Sequence, residues 1–304
     1  MPTTVNTTAT LISTASLIRR PPSPATELDL HQYDAVFIRS SGGKDSQAML
    51  TYVIAVARAQ DYPRTRIVVT HADLGRVEWQ GTTDLAREQA AHYGLAFVVV
   101  KRSQGDLLDH ARKLGKFPSA TQRFCTSDHK RAQLAKPITA AHKTWTDAGN
   151  RGTYRVLECL GMRAQESSGR AKLEAVSRSE RLSTKSREVT TWLPIHAWTV
   201  EQVWETIRAS GVRHHRAYDL GMPRLSCAFC IFAPRSALLL AAQHNEALLD
   251  AYVEVEQEIG RARAAAGKPA HFFKKGTSLE GVRAEARAMT AEGRKVEPIT
   301  DWTM

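Results

Sequence analysis

The chain has 304 residues and a mass of 33.7 kDa, enough for one large domain with an appended segment. Hydrophobic residues make up 42% and charged residues 24%, which excludes collagen-like, fibrous and wholly disordered proteins. No apolar run approaches the roughly 18–20 residues of a membrane helix, so we expect no membrane contact. The 42 Lys and Arg residues outnumber the 31 Asp and Glu residues, and the net charge of +11 favours an anionic partner, a nucleotide or a nucleic acid.

The cysteine content and the first residues of the chain bear on its compartment. Four cysteines in a chain of this length are too few for a disulfide-stapled secreted domain. Residues 1–30 are rich in Thr and Ser and lack the order of a secretory signal. We predict a flexible polar tail there, with a cleaved transit peptide as the alternative, and a cytoplasmic protein. In a reducing compartment, a Cys-x-x-Cys pair is more typical of a metal site or redox chemistry than of a disulfide.

Short apolar runs alternate with amphipathic stretches through the first half of the chain. Strands are predicted over Asp34–Arg39, Arg66–His71, Leu95–Lys101 and Tyr154–Leu160. Helices are predicted between them over Asp45–Ala59, Thr82–Tyr93 and Asp106–Leu114. This alternation predicts an α/β fold, a Rossmann-like doubly wound parallel sheet with helices on both faces.

The second half of the chain is less regular. Arg163–Thr191 is polar and has no clear period, so we predict a long mobile loop or lid. Helical patterns follow over Ala237–Ala264 and Leu279–Glu292. We therefore divide the chain into the tail, a nucleotide-binding α/β domain over residues 31–235 and a helical C-terminal extension over residues 236–304.

The strongest local motif lies between the first predicted strand and the first predicted helix. It consists of Ser40, Ser41, Gly42, Gly43, Lys44, Asp45 and Ser46. Paired glycines allow the backbone to approach a ligand, and the N–H groups of such a turn and helix start face an anion. The spacing is not that of a Walker A loop. We predict a phosphate-binding loop, with a glycine turn that binds nothing as the alternative.

Two further polar elements follow predicted strands. Asp73 closes the second strand, where a carboxylate lies on the ligand side of a doubly wound sheet or merely ends a turn. After the fourth strand come Gly161, Arg163, Glu166, Ser167 and Arg170. Two arginines at this spacing can clamp a phosphate or sulfate, and a solvated charged loop is the alternative.

A third run combines aromatic residues with the last two cysteines. It comprises Trp192-Leu193-Pro194-Ile195, Trp198-Thr199, Val203-Trp204, Tyr218-Asp219-Leu220-Gly221, Arg224, Cys227 and Cys230. We expect the tryptophans to lie in the core. Together with the glycine loop, these runs resemble the phosphoadenosine phosphosulfate (PAPS) reductase-like family of the adenine nucleotide α-hydrolase superfamily, over about residues 34–234.

The resemblance implies a binding site for ATP or a related adenine nucleotide, with cleavage between the α and β phosphates. The implied nucleotide-binding residues are Ser40, Ser41, Gly42, Gly43, Lys44, Asp45, Ser46, Asp73, Gly161, Arg163, Glu166, Ser167 and Arg170. Lys44, Asp45 and Arg163 are the implied catalytic residues, and Asp45 is expected to bind Mg²⁺.

The cysteines suggest a metal site. Cluster-bearing members of the family have a Cys-Cys pair where this chain has Phe124-Cys125, and a later Cys-x-x-Cys completes four ligands. The resemblance implies a [4Fe–4S] cluster held by Cys125, Cys227 and Cys230, with Cys159 or an open iron position as the fourth site. A zinc site completed by histidine, or no metal, are the alternatives. The candidate histidines are His129, His214 and His215.

No cysteine follows Cys230, so the nucleophile that sulfonucleotide reductases carry near their C-terminus has no counterpart. The chain most resembles the DndC-type branch, which acts in DNA phosphorothioate modification. This implies adenylation of a nucleic-acid acceptor, DNA rather than RNA, followed by transfer of sulfur from a donor such as a cysteine desulfurase. Lys172, Lys185 and Arg187 are expected to contact the nucleic-acid backbone. The alternatives are a sulfonucleotide reductase that uses an external thiol and a non-catalytic nucleic-acid-binding protein.

Overall fold

A six-stranded sheet forms the centre of the protein, whose computed structural model describes residues 28–269 and 271–299. The strands are β1 (Ala35–Ser40), β2 (Ile67–Asp73), β3 (Ala96–Lys101), β4 (Tyr154–Cys159), β5 (Val176–Arg178) and β6 (Arg187–Trp192). Their spatial order is β3-β2-β1-β4-β6-β5, and only β5 pairs in the antiparallel sense. The order reverses between β1 and β4, and ligands of doubly wound sheets bind at the carboxyl ends of such strands.

Helices cover both faces of the sheet and continue beyond it. They are α1 (Lys44–Ala59), α2 (Thr82–His92), α3 (Leu107–Leu114), α4 (Phe124–Thr126), α5 (Ala132–Asp147), α6 (Ser168–Ala171), α7 (Val200–Ser210), α8 (Arg216–Asp219), α9 (Arg235–His244), α10 (Glu246–Ala265) and α11 (Leu279–Ala291). A π-helical turn over Ser127–Arg131 joins α4 to α5. This architecture confirms the predicted α/β fold with its parallel sheet and C-terminal helices. Within the described ranges, no helix combines the length and apolarity that a bilayer crossing requires.

The alternation of side chains along β1 builds a core on each face of the sheet. Ile38 belongs to the core cluster that includes α1 and α7, and Phe37 belongs to the cluster under α5. Trp192 and Trp198 are buried in the first of these clusters, as expected. The predicted tail lies outside the described residues up to residue 27, whereas Leu30 is fully buried.

The prediction of a structureless loop over Arg163–Thr191 was wrong. The segment contains α6, β5 and most of β6, and β6 pairs in parallel with β4. The strand was not predicted because charged residues in a segment suggest exposure to solvent. Arg187, the first residue of β6, is instead buried. The guanidinium of Arg187 donates to the carbonyl oxygen of Leu182 at 2.8 Å and to Thr139 Oγ1 at 3.2 Å.

The helical pattern over Ala237–Ala264 is interrupted in the structure. It forms the two helices α9 and α10, which meet at Asn245, where φ is −140°. Several helices were not predicted from the sequence, and α5 and α7 are the two long ones among them. α5 has Pro137 in its interior, and α7 begins with a capping box in which Thr199 and Gln202 exchange hydrogen bonds.

The C-terminal helices share a core with the rest of the chain. Leu238 of α9, Tyr252 of α10 and Leu279 of α11 belong to the same buried cluster as Leu108 and Phe229. The C-terminal extension therefore packs directly against the segment that contains the last two cysteines.

The buried carboxylate of Glu256 holds the start of α11 against α10 by hydrogen bonds. Glu256 in α10 is 7% exposed and accepts hydrogen bonds from the backbone N–H of Phe273 at 2.7 Å and of Leu279 at 2.8 Å. We expect Glu256→Ala to lower the free energy of unfolding by about 2–4 kcal/mol, because each N–H left buried and unpaired costs roughly 1–3 kcal/mol. Urea denaturation measures the loss. Glu254→Ala, at an exposed position of the same helix, is the control, and equal stability of the two variants would contradict this role.

Candidate functional site

The glycine loop, residues 40–46, lies at the carboxyl end of β1, where the strand order reverses. Gly42 has a φ of +71°, and a Cβ at this position would lie 3.0 Å from the carbonyl oxygen of Thr82. Glycine is therefore required here. The 16-residue helix α1 begins after Gly43 with no side-chain cap, so the positive end of its dipole faces the loop. The arrangement suits an anion.

The loop is held by its own hydroxyl groups. The backbone N–H of Ser41 donates to Ser46 Oγ at 3.1 Å, that of Gly42 to Ser40 Oγ at 3.3 Å, and that of Gly43 to Ser41 Oγ at 3.4 Å. These bonds keep the loop donors paired in the absence of a ligand. An entering phosphate oxygen can replace the hydroxyls as acceptor.

Asp45 joins the loop to the segment after β4. Its Oδ1 lies 2.6 Å from Arg163 Nε and its Oδ2 lies 3.0 Å from Lys44 Nζ. Burial alone would raise the pKa of Asp45, but Lys44 and Arg163 hold it below its ordinary value. The carboxylate is thus charged at neutral pH and fixes both cations beside the loop. Because both oxygens already face cations, this geometry suits positioning of Arg163 better than binding of Mg²⁺.

A second carboxylate organises the remaining arginines. Glu166 forms an ion pair with Arg170, lies 3.8 Å from Arg224 and accepts the backbone N–H of Arg163 at 3.0 Å. Ser167 accepts the N–H of Arg170 and so caps α6. With Lys44, the network has four cations for the two carboxylates Asp45 and Glu166, an excess of two positive charges. Such an excess suits a polyphosphate or a sulfated nucleotide.

Gly161 explains how the two segments approach each other. A Cβ at Gly161 would lie 2.9 Å from the carbonyl oxygen of Asp45 and 3.0 Å from the backbone nitrogen of Ser46. The backbone after β4 therefore rests directly on the first turn of α1, and only glycine permits this approach.

Asp73 lies at the end of β2 on the wall of a cavity of ≈ 500 Å³. Asp73 accepts the backbone N–H of Gly75 at 2.6 Å and lies 3.3 Å from Lys101 Nζ. The lining has three further carboxylates, Glu78, Asp84 and Glu246, and one guanidinium, Arg76, so acidic groups predominate. Thr82 lines the cavity and also contacts the position of Gly42, so the acidic cavity and the cationic glycine loop share a wall.

Tyr218 is a site residue that the sequence singled out only as part of a longer run. Its hydroxyl oxygen accepts the backbone N–H of Lys44 at 2.8 Å and that of Leu225 at 3.2 Å. The ring lies 5.8 Å from Lys44 Nζ. Tyr218 therefore links the first turn of α1 to the segment that precedes Cys227. No feature of the sequence distinguishes this phenol from a core tyrosine.

Cys125, Cys227 and Cys230 form what we call the cysteine patch. All three are partly exposed and pack against one core cluster. The backbone of Glu78 pairs with that of Cys227, and the N–H of Ala228 donates to the carbonyl oxygen of Val77 at 2.9 Å. The patch is thereby fixed to the turn after β2, whose residues also line the acidic cavity.

The two thiols of the Cys-x-x-Cys pair lie within hydrogen-bonding range of each other. The hydrogen bond from Cys227 lowers the pKa of Cys230 to about 6, helped by the nearby charges of Lys130 and Arg224. The same bond raises the pKa of Cys227. The patch therefore offers one thiolate at neutral pH, and thiolates are the ligands that iron–sulfur clusters and zinc prefer.

Cys159 lies apart from the patch. It is fully buried in β4, and its side chain belongs to the core cluster of α1 rather than to the core beneath the patch. Burial raises the pKa of its thiol, and the charges that act on it are those of Glu158 and Arg39. The structure does not bring Cys159 to the other three cysteines, and a buried free cysteine in a strand packs as a small apolar residue.

The candidate histidine ligands all have other partners. His129 lies 3.1 Å from His110, His214 lies 2.7 Å from Asp219, and His215 accepts the N–H of Ala217 at 3.0 Å. Across residues 28–269 and 271–299, no three His, Cys, Asp or Glu side chains are gathered closely enough to hold a single metal ion.

The donor set of the patch nevertheless suits a larger sulfur-containing group, because each thiolate of a cluster binds a different iron. A second observation agrees with this. The buried hydroxyl of Tyr252, in the core against which the three cysteines pack, has no hydrogen-bond partner. An unpaired buried hydroxyl in the core that supports the patch fits a missing acceptor there.

The basic segment after the site is only partly available to a large ligand. Lys172 and Lys185 are exposed, whereas Arg187 is 7% exposed and directed into the protein. The expectation that Arg187 contacts a nucleic-acid backbone was wrong for this reason.

Comparison with known families identifies a domain that covers most of the chain. Residues 35–233 match the phosphoadenosine phosphosulfate reductase domain. An uncharacterized 37.8 kDa protein in the gpa 5′ region of Escherichia phage 186 is 26% identical over 229 residues, which are 72% of this chain. The matched part covers 63% of the phage protein, so the chain spans less than two thirds of that relative.

Solved structures with similar folds include three enzymes. The PAPS reductase of Candida auris in a phosphate complex is 16% identical, with a TM-score of 0.39, over 71% of this chain and 89% of its own. The U34-tRNA thiolase NcsA of Methanococcus maripaludis with its [4Fe-4S] cluster is 15% identical, with a TM-score of 0.40, over 83% and 76%. The FMN adenylyltransferase of Candida glabrata is 12% identical, with a TM-score of 0.43, over 70% and 59%. Similarity at this level is compatible with many activities.

The close approach at Gly161 yields a direct test of the site geometry. We expect Gly161→Ala to destabilise the protein by about 1–3 kcal/mol, because the new methyl group must push the segment after β4 away from α1. We also expect ATP to bind more weakly, because the displaced segment would carry Arg163 away from Asp45 and the glycine loop. Gly169→Ala, where a Cβ meets open space, is the matched control. Calorimetric binding of ATP equal in both variants would contradict the predicted geometry.

Proposed function

The chain belongs to the phosphoadenosine phosphosulfate reductase domain family, and from this we propose that it is an enzyme that adenylates an acceptor with ATP to prepare it for sulfur transfer. The observation that supports this most strongly is the division of charge at the site. Lys44, Arg163 and a helix N-terminus lie at the glycine loop, and Glu166 adds Arg170 and Arg224 to the same network. A mostly acid-lined cavity of ≈ 500 Å³ shares a wall with the loop.

A nucleoside triphosphate has the matching division of charge. Its phosphates are anionic and its nucleoside is uncharged and rich in hydrogen-bond donors. We assign the phosphates to the glycine loop with Lys44 and Arg163, and the nucleoside to the cavity, where Asp73 is an acceptor for ribose hydroxyl groups. In both assignments, the charge of the ligand group is complementary to that of the residues around it: anionic phosphates lie by the cations of the loop, and hydroxyl donors lie by the carboxylates of the cavity.

The proposed reaction is a displacement at the α phosphorus. An oxygen of the acceptor attacks this phosphorus, and the bond to the oxygen that bridges the α and β phosphates breaks. Pyrophosphate leaves with the bonding electron pair, and the acceptor becomes an AMP ester. Charge develops on the leaving pyrophosphate, where Lys44 and the amides of the glycine loop stabilise it. Asp45 holds Arg163 in place.

The cysteine patch supplies the sulfur-handling part of the proposal. Cys125, Cys227 and Cys230 would hold a [4Fe–4S] cluster that leaves one coordination position without a protein ligand, and zinc is the other metal that suits thiolates. Such a cluster supplies a site for sulfur or for electrons when bound. The backbone pairing of Glu78 with Cys227 supports a shared reaction space, because it joins the patch to the cavity wall.

The proposed acceptor is a nucleic acid, with DNA preferred to RNA and a cysteine desulfurase as sulfur donor. The net charge of +11 supports an anionic macromolecule. The cations Lys130, Arg224 and Lys274 act electrostatically on Cys230, so the field around the patch attracts phosphates.

The ATP chemistry is tested by pyrophosphate release. We expect Lys44→Ala to reduce release of pyrophosphate from ATP by about 100-fold or more, because a preorganised charge on the leaving group is lost. Lys143→Ala, on the exposed face of α5, should retain full activity and is the control. Undiminished pyrophosphate release by Lys44→Ala would exclude this role. Release of sulfite from a sulfonucleotide without ATP would instead identify a reductase that works with an external thiol.

Nucleic-acid binding is tested by its salt dependence. We expect the double variant Lys172→Ala, Lys185→Ala to bind duplex DNA more weakly and to lower the slope of log Kd against log salt by about 2, one unit for each lost phosphate contact. Fluorescence anisotropy over a salt series measures the slope. The Lys143→Ala variant again serves as control. An unchanged slope for the double variant would remove residues 172–185 from the interface.

A further inference from the structure

Tyr252 has a property that neither the proposed ATP chemistry nor the packing of the core explains. It lies in α10, outside the matched residues 35–233, and is 1% exposed. Its hydroxyl oxygen is fully buried and has no hydrogen-bond partner within the described part of the chain. Buried hydroxyl groups in native proteins almost always have a hydrogen-bond partner. An unpaired one indicates a partner that is not among the described residues.

Aromatic contacts fix the position of this hydroxyl. The ring of Tyr252 stacks on Phe117 with centroids 6.1 Å apart and meets Phe229 and Phe273 edge to face at 5.2 and 6.0 Å. A phenol held on three sides cannot swing its hydroxyl towards solvent. Phenylalanine would fill the same space without the cost of an unpaired polar group.

The hydroxyl is placed beside the cysteine patch. Phe229, which packs against the ring, is one of the two residues between Cys227 and Cys230. Cys125, Cys227 and Cys230 pack against the core cluster to which Tyr252 belongs. Burial raises the pKa of Tyr252, and the charges of the three cysteines raise it further.

A carboxylate whose charge acts on the phenol, Asp106, is already paired with other groups. Asp106 also acts on Tyr252, but its carboxylate accepts the N–H groups of Leu108 and Asp109 at the start of α3 and forms an ion pair with Arg76. Asp106 therefore does not supply the missing acceptor. The cysteine patch, which packs against the same core as Tyr252, offers sulfur as the acceptor.

We propose that the Tyr252 hydroxyl donates a hydrogen bond to a sulfur atom of the group held by Cys125, Cys227 and Cys230, and that α10 thereby completes the cysteine site. The proposal rests on the proposed function for the presence of a cluster at the patch. A hydrogen bond to a cluster sulfur stabilises the reduced, more negative state, so it raises the reduction potential. The C-terminal extension would then tune the centre that the family domain holds.

The test uses Tyr252→Phe in the full chain, with the cluster rebuilt from ferrous iron and sulfide without oxygen. We expect iron and sulfide contents equal to those of the wild type and a midpoint potential shifted to more negative values in a spectroscopic redox titration. Tyr93→Phe is the matched control. It removes a phenol hydroxyl that pairs with Thr51 at 2.8 Å in the other core cluster, and should leave the potential unchanged.

A second readout separates a hydrogen bond to the cluster from a packing effect. In the metal-free protein, Tyr252→Phe removes an unpaired polar group and should leave the urea midpoint unchanged or raise it. In the loaded protein, the same change should speed the removal of iron by a chelator several-fold. Tyr93→Phe should lower the urea midpoint in both forms because it breaks a hydrogen bond that is present in both.

The outcomes separate this inference from the proposed function. A wild type that loads a cluster, with the same potential and iron release in Tyr252→Phe, would overturn the inference and leave the proposed function intact. A wild type that takes up no iron and sulfide would overturn both the cluster and the role of Tyr252, while the test of ATP cleavage at Lys44 would remain independent.

Discussion

The buried ion pair between Asp45 and Arg163 is the constraint on which the site depends. Arg163 is 4% exposed, and a buried guanidinium without a partner typically costs about 3–5 kcal/mol. The pair therefore holds the first turn of α1 and the segment after β4 together, because separating them would leave both charges unpaired. Gly161 makes the necessary approach possible, and Lys44 joins the same carboxylate from the loop. A phosphate group that enters meets cations already held in place, so little side-chain entropy is lost on binding.

A second constraint lies at the end of β2. The turn that follows Asp73 lines the acidic cavity. The backbone of the same turn pairs with Cys227 through Glu78 and with Ala228 through Val77. Tyr218 makes a parallel connection, because its oxygen accepts N–H groups from Lys44 and Leu225. Two separate links thus join the proposed nucleotide site to the cysteine patch. These links give the proposed ATP site a physical connection to the proposed sulfur chemistry.

The sequence predicted those parts of the fold whose signals are local. β1 to β4 and the first three long helices follow from apolar runs and their spacing, and the glycine loop follows from its place between a strand and a helix. Strand β6 was missed because its Arg187 is buried, paired with the carbonyl oxygen of Leu182 five residues earlier and with Thr139 of α5, and no apolar pattern reveals such a burial. The spacing of Thr199 and Gln202 is a local signal for the start of α7, but the sequence analysis did not predict this helix from it. The roles of Asp45 and Tyr218 depend on tertiary contacts, so composition and spacing cannot distinguish a positioning residue from a ligand.

The C-terminal helices support the cysteine patch. The core beneath the cysteine patch joins Phe229, between the two last cysteines, to Tyr252 and Phe273, which lie beyond the matched domain. Glu256, one turn after Tyr252, holds the backbone of Phe273 and the start of α11 in place. Without α10, Phe229 would lose the ring against which it packs, and the thiols on either side of it would lose their support. The geometry of the cysteine patch is therefore a property of the domain and its extension together, since neither contains the whole of the core on which the thiols rest.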